Sequence, residues 1–112
     1  MPSVNVYTED DAVIQQLKEL LVPLQAFVAK RLSCGELELQ PREVSVRVIK
    51  PVASLMIYPL EIEMSAYAFA ERVEQEDIIC REVVAFLKES EPRLPDMHVW
   101  LTLSELGHSW EE

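Results

Sequence analysis

Apolar and polar residues alternate in four stretches of this chain and recur at spacings of three and four in two others. Period two marks strands half-buried in a sheet, and the longer period marks one face of a helix. Residues 2–8 read as a short strand, with Val4 and Val6 facing one way and Ser3, Asn5 and Tyr7 the other. A helical stripe follows through Val13, Leu17, Leu20, Leu21, Leu24, Phe27, Val28 and Leu32. Thr8 is placed as its N-cap, with Glu9, Asp10 and Asp11 at the positive end of the helix dipole. Pro23 lies inside the stripe and is expected to kink the helix or split it. Cys34 and Gly35 read as its stop.

A second strand is expected over residues 43–49, where Val44, Val46 and Val48 alternate with Ser45 and Arg47 between Pro41 and Pro51. Residues 51–59 form a connector that begins and ends with proline. A long alternation then runs over residues 60–70. Leu60, Ile62, Met64, Ala66 and Ala68 face one way, and Glu61, Glu63, Ser65, Tyr67 and Phe69 the other. A second helix is expected over residues 75–89, with Ile78, Ile79, Val83, Phe86 and Leu87 on its apolar side and Pro92 and Pro95 beyond its end. A last strand over residues 98–103 leads into a polar tail with Gly107, His108 and Trp110.

The order is β-α-β, repeated. Each unit pairs its two strands in parallel through a right-handed crossover. Two such units side by side predict an α+β fold, a four-stranded sheet with two helices on one face. The expected organisation is a single domain over residues 1–112, with halves at about 1–55 and 56–112. The other sheet face carries Tyr7, Tyr67, Phe69 and Trp100. An uncovered face with that many aromatics implies a partner, most simply other copies of the chain in a closed ring.

Composition narrows the function. Hydrophobic residues make up 49% of the 112 positions and charged residues 27%, an ordinary globular balance that argues against disorder. Twenty acidic against ten basic residues give a formal net charge of -10. Such a chain is repelled by phosphate backbones and by anionic membrane surfaces, so neither nucleic acid nor membrane is an expected partner. No apolar run approaches a membrane span, and the first residues carry no secretory signal pattern. Cys34 and Cys80 are too few for a disulfide framework, and the expected setting is the cytoplasm with both thiols reduced.

Few residues point to chemistry. Removal of the initiator Met would leave Pro2 with a secondary amine at the start of a strand. Burial makes such an ammonium easier to deprotonate, which suits a general base. The bland alternative is a small residue after Met, which is common. Arg47 is the cation within its valine-flanked strand, and its fork can hold a carboxylate in bidentate fashion. It can equally serve a salt bridge in so acidic a protein. His98 and His108 have no metal-ligand spacing, and neither cysteine has a local base, so no metal and no thiol nucleophile is expected. A glycine-rich phosphate loop is absent from the sequence, which leaves nucleotide cofactors without support. The acidic run over residues 71–77 reads as a solvated helix entry.

Taken together, the Met-Pro start, the doubled β-α-β pattern and the strand Ser45-Val46-Arg47-Val48-Ile49 resemble the tautomerase superfamily. The strand is similar to the Ser-Val-Arg-Val-Ile strand of the 4-oxalocrotonate tautomerases. The double-length chain is similar to the 5-carboxymethyl-2-hydroxymuconate isomerases and macrophage migration inhibitory factors. The resemblance implies a cofactor-free keto–enol tautomerase acting on a small carboxylate-bearing 2-oxo acid or dienol, built as a homotrimer. It implies Pro2 as the base, Arg47 as the carboxylate clamp and Trp100 as a wall of the pocket. This chain departs from the pattern at Leu39, which stands where the inhibitory-factor type has lysine, and at Thr102, which stands for its pocket asparagine.

Two other readings compete. A non-catalytic homo-oligomeric binding protein on the same scaffold predicts a blocked or buried Pro2 and an Arg47 paired to Glu61 or Glu63. An unrelated ferredoxin-like sandwich predicts a different strand order and no ring.

Overall fold

The computed structural model describes residues 2–33 and 38–104. Its elements are β1 (Ser3–Tyr7), α1 (Asp11–Lys18), α2 (Leu21–Leu32), β2 (Ser45–Ile49), β3 (Leu60–Tyr67), α3 (Ala70–Ser90) and β4 (Met97–Ser104), with a 3-10 turn, Pro41–Glu43, ahead of β2. The four strands form one sheet in the order β2-β1-β3-β4. β1 runs parallel to β2, β3 runs parallel to β4, and the two halves meet where β1 pairs antiparallel with β3. This is the α+β sandwich that the alternation predicts, with the first helix in two pieces.

The alternation explains the layering. Val4, Val6, Leu60, Ile62 and Met64 point to one face and are fully buried. Leu17, Leu24, Val28 and Leu32 of the first two helices and Ile79, Val83 and Leu87 of α3 complete the same core. Each such side chain contributes roughly 1.5–3 kcal/mol by leaving water. Phe27 of α2 stacks on Phe86 of α3 with ring centroids 4.4 Å apart, which ties the helices of the two halves together.

Several local expectations shift. Asp10, not Thr8, caps α1, its carboxylate accepting from the backbone N–H groups of Ala12 and Val13. Thr8 is buried instead, and its hydroxyl donates to the Pro59 carbonyl, which pins the connector to the end of β1. The helix breaks between Lys18 and Leu21, ahead of Pro23. That puts the proline in the first turn of α2, where its missing N–H costs nothing. Ser33 closes α2, and the expected stop at Cys34 and Gly35 lies outside the described residues. The polar tail with Gly107, His108 and Trp110 lies outside them too.

The largest correction concerns residues 68–77. The third strand ends at Tyr67 and α3 begins at Ala70, so Ala68 and Phe69 belong to the junction. Arg72 is the physical reason. It is 2% exposed, donates through Nε to the Leu32 carbonyl and through Nη1 to the Tyr67 carbonyl, and lies 4.8 Å from the Phe69 ring centroid. One guanidinium thereby ties the last turn of α2 to the end of β3 and turns the chain into α3. Arg72→Met should lower unfolding free energy by about 2–4 kcal/mol, since it strands buried carbonyls. Arg42→Ala on the exposed 3-10 turn should stay within about 0.5 kcal/mol in the same urea titration.

Candidate functional site

Pro2 sits at the head of β1. It is buried, and its carbonyl accepts from the Ser45 N–H at 3.1 Å, extending the β1–β2 ladder by one step. The alternation of β1 carries it to the face of Val4, under the helices. The strand it depends on is itself anchored, because Gln25 of α2 donates through Nε2 to the Val44 carbonyl at 2.8 Å.

Arg47 lies on the opposite face. The registers place Arg47, Asn5, Glu63 and Trp100 side by side, one from each strand, in a single row across the open sheet face. Arg47 is exposed and donates through Nη1 to Asn5 Oδ1 at 3.2 Å. Asn5 donates onward through Nδ2 to Glu63 at 3.1 Å, and Tyr7 donates its hydroxyl to the same Glu63 oxygen at 3.3 Å. Beside this row the Ser3 and Ser65 hydroxyls are 2.7 Å apart. The open face is therefore mostly polar and hydrogen-bonded. Tyr7, Tyr67 and Trp100 do lie on it, whereas Phe69 does not.

Trp100 occupies the far end of the row, on the edge strand β4. His98 lies beside it with centroids 5.2 Å apart, and Tyr58 lies 5.2 Å beyond His98. Residues 98–101 of β4 and Glu76, Asp77, Cys80 and Arg81 of α3 border a groove of about 730 Å³ along that edge. Burial raises the Cys80 thiol above its ordinary value, and the Asp77 and Glu76 carboxylates push the same way, so it stays protonated at neutral pH. Among the described residues no cluster of three His, Cys, Asp or Glu side chains is placed to hold a metal.

Within one chain the three sequence candidates are thus not brought together. Arg47 and Trp100 are three strands apart, about 14 Å at the backbone. Pro2 lies on the other face and about 10 Å further along the strands. The Asn5–Glu63–Tyr7 network is the feature that sequence reasoning missed. Each of these residues read as the polar side of a strand, and only the pairing register joins them.

No family model matches the chain, and no curated protein matches it in sequence. Solved structures do match. A macrophage migration inhibitory factor-like protein from Entamoeba histolytica superposes with a TM-score of 0.59 at 8% identity, over 94% of this chain and 88% of that one. N1, a member of the cis-3-chloroacrylic acid dehalogenase family, gives 0.60 at 14% identity, over 93% and 74%. A 5-carboxymethyl-2-hydroxymuconate isomerase from Deinococcus radiodurans R1 gives 0.58 at 15% identity, over 99% and 88%. The chain shares the fold of these three proteins. That shared fold sets aside the unrelated ferredoxin-like sandwich. Among the described residues no helix is long and apolar enough to cross a membrane.

The network predicts a titration. Burial raises the Tyr7 phenol above 10.0, and the Glu63 charge and hydrogen bond raise it further. A phenol raised in the folded state stabilises the fold fully below its unfolded value, and that contribution fades as pH rises through the folded value. Ultraviolet titration should show one tyrosine ionising late, and Glu63→Gln should bring it back toward the others without restoring it fully.

Proposed function

We propose that this protein is a cofactor-free keto–enol tautomerase of small 2-oxo acids or their dienols, acting in the cytoplasm as a homotrimer. The observation that carries the reading is the burial of Pro2 at the head of β1 on a tautomerase fold. Once Met1 is removed, Pro2 carries a secondary amine. Apolar surroundings disfavour its ammonium form and so favour the neutral base at physiological pH. That amine takes the proton from the enol hydroxyl as the carbonyl forms, and the resulting ammonium delivers a proton to the neighbouring carbon. The reaction moves a proton and consumes nothing, so the chain's own groups suffice.

Arg47 is the carboxylate clamp in this reading. Its guanidinium is exposed and rests on a neutral amide, Asn5, so an incoming carboxylate meets no charged competitor in direct contact with it. Trp100 supplies an apolar wall that keeps water from the enol. Because these residues lie apart within one chain, the site takes Pro2, Arg47 and Trp100 from more than one copy. The trimer is thereby part of the chemistry.

A second reading is a homo-oligomeric binding protein on the same scaffold. The Arg47–Asn5–Glu63 relay favours it, since it links the arginine to an acid of β3 through Asn5. The two readings separate in an ultraviolet assay of phenylenolpyruvate and a 2-hydroxy-2,4-dienoate, on protein whose intact mass confirms loss of Met1. Turnover that falls at least about a hundredfold in Pro2→Ala supports the base. Turnover no faster than that of the variant leaves the binding protein. Arg47→Ala should raise KM for carboxylate substrates about tenfold or more and leave the melting temperature within about 2 °C. An unchanged KM with a collapsed melting temperature marks a structural arginine instead.

A further inference from the structure

Asn5 stands between two groups of opposite hydrogen-bonding character. A guanidinium has donors and no acceptor, and a carboxylate has acceptors and no donor. The strand registers set Asn5 of β1 opposite Arg47 of β2 on one side and Glu63 of β3 on the other. Its amide can make both bonds in one orientation only, with Oδ1 toward the arginine and Nδ2 toward the acid. That is the orientation found, with Oδ1 3.2 Å from Arg47 Nη1 and Nδ2 3.1 Å from Glu63 Oε1. The Tyr7 hydroxyl holds the same Glu63 oxygen from the next row. Asn5, Glu63 and Tyr7 are half-buried, whereas Arg47 is exposed.

The consequence falls on Arg47. A long cationic side chain on an edge strand samples many rotamers, and ordering it weakens whatever it binds. Here Nη1 is already engaged by Asn5. The Nε–Nη2 edge has no partner among the described residues and can take both oxygens of a carboxylate. The amide is neutral, so it holds the guanidinium and leaves its charge to the ligand. Turned over, the same amide would present Nδ2 to Arg47, donor against donor. The acceptor at position 63 is what keeps it from turning.

We infer that Asn5 is a positioning residue for the Arg47 clamp and that Glu63 sets the direction of its amide, so that an acid on β3 strengthens carboxylate binding on β2. Charge alone dictates the opposite, since an acid near the clamp repels an anionic ligand. Glu61 supplies the comparison, because it lies on the same face of β3 but opposite Tyr7 rather than Asn5. The inference rests on the clamp role of Arg47 in the proposed function and not on the amine at Pro2.

Two measurements on the same variants test it. One is the dissociation constant of trans-cinnamate by calorimetry, and the other is KM and kcat for phenylenolpyruvate. Cinnamate keeps the ring and carboxylate of that enol and has no enol proton to move. Glu63→Lys replaces the acceptor with a donor. It should weaken cinnamate about fivefold or more, approaching Arg47→Ala, although it adds positive charge beside the clamp. KM should rise in step while kcat stays within about twofold. Glu63→Gln keeps an acceptor and should recover most of that loss. Glu61→Lys makes the same change of charge without touching the amide and should not weaken binding. Asn5→Ala, a smaller change, reads the same link should Glu63→Lys fail to fold, and should weaken cinnamate about threefold or more. Binding as tight as native in Glu63→Lys or Asn5→Ala overturns the inference. So does a Glu63→Gln or Glu61→Lys chain as weak as Glu63→Lys. A native chain that takes up no cinnamate, or an Arg47→Ala chain that binds it equally well, overturns the inference together with the clamp. The expected order of dissociation constants in a chain that turns over no enol keeps Asn5 in its role and removes only the tautomerase.

Discussion

The antiparallel pairing of β1 with β3 is the constraint on which the rest of this molecule depends. Each half is a parallel strand pair with its helical crossover, and neither half alone encloses a core. Joining them back to back through Ser3–Ser65, Asn5–Glu63 and Tyr7–Glu61 aligns Val4 and Val6 with Met64 and Ile62 beneath the helices of both halves. The same pairing fixes what lies on the reverse side. It sets Asn5 against Glu63, and from that pair the hydrogen bonds run outward to Arg47 and Tyr7. A one-residue slip would expose the valines and bury the acids, so core and network stand or fall together.

A sheet built this way has an inside and an outside but no closure. Its two edges, β2 and β4, remain open at opposite ends of the order, and its polar face is uncovered by its own helices. Arg47 belongs to one edge and Trp100 to the other. In the proposed function, a site built from both residues therefore needs neighbouring copies. The amine at Pro2 would then gain its clamp and its wall only on assembly.

Much of the fold was legible in the sequence because its strands keep strict alternation. Val44, Val46 and Val48 in β2, and Leu60 to Ala66 in β3, admit no other period. Legibility failed where a single side chain overrides the local pattern. Ala68 and Phe69 continue the alternation of β3, but buried Arg72 needs the Tyr67 carbonyl and turns the chain there. Asp10 caps α1, while the Thr8 hydroxyl accepts from the Asp10 N–H and donates to the Pro59 carbonyl of the connector. The candidate site was legible only as separate residues. Alternation told which face Arg47 and Trp100 occupy, but not that Asn5 and Glu63 stand between them, since strand order is a long-range outcome. Val52, Leu55 and Ile57 are exposed, and that was hidden too, because apolar residues in a connector look the same whether covered or bare.

In the proposed function, one working site draws on more than one copy. Co-refolding an equimolar mixture of Pro2→Ala and Arg47→Ala chains, each inactive or weak alone, measures this directly through the rate of enol ketonisation. Shared sites predict that the mixture recovers a substantial fraction of native turnover, because some sites combine an intact amine with an intact guanidinium. A mixture that never exceeds the average of its two parents would contradict the account and place the amine and the guanidinium of each site in one chain.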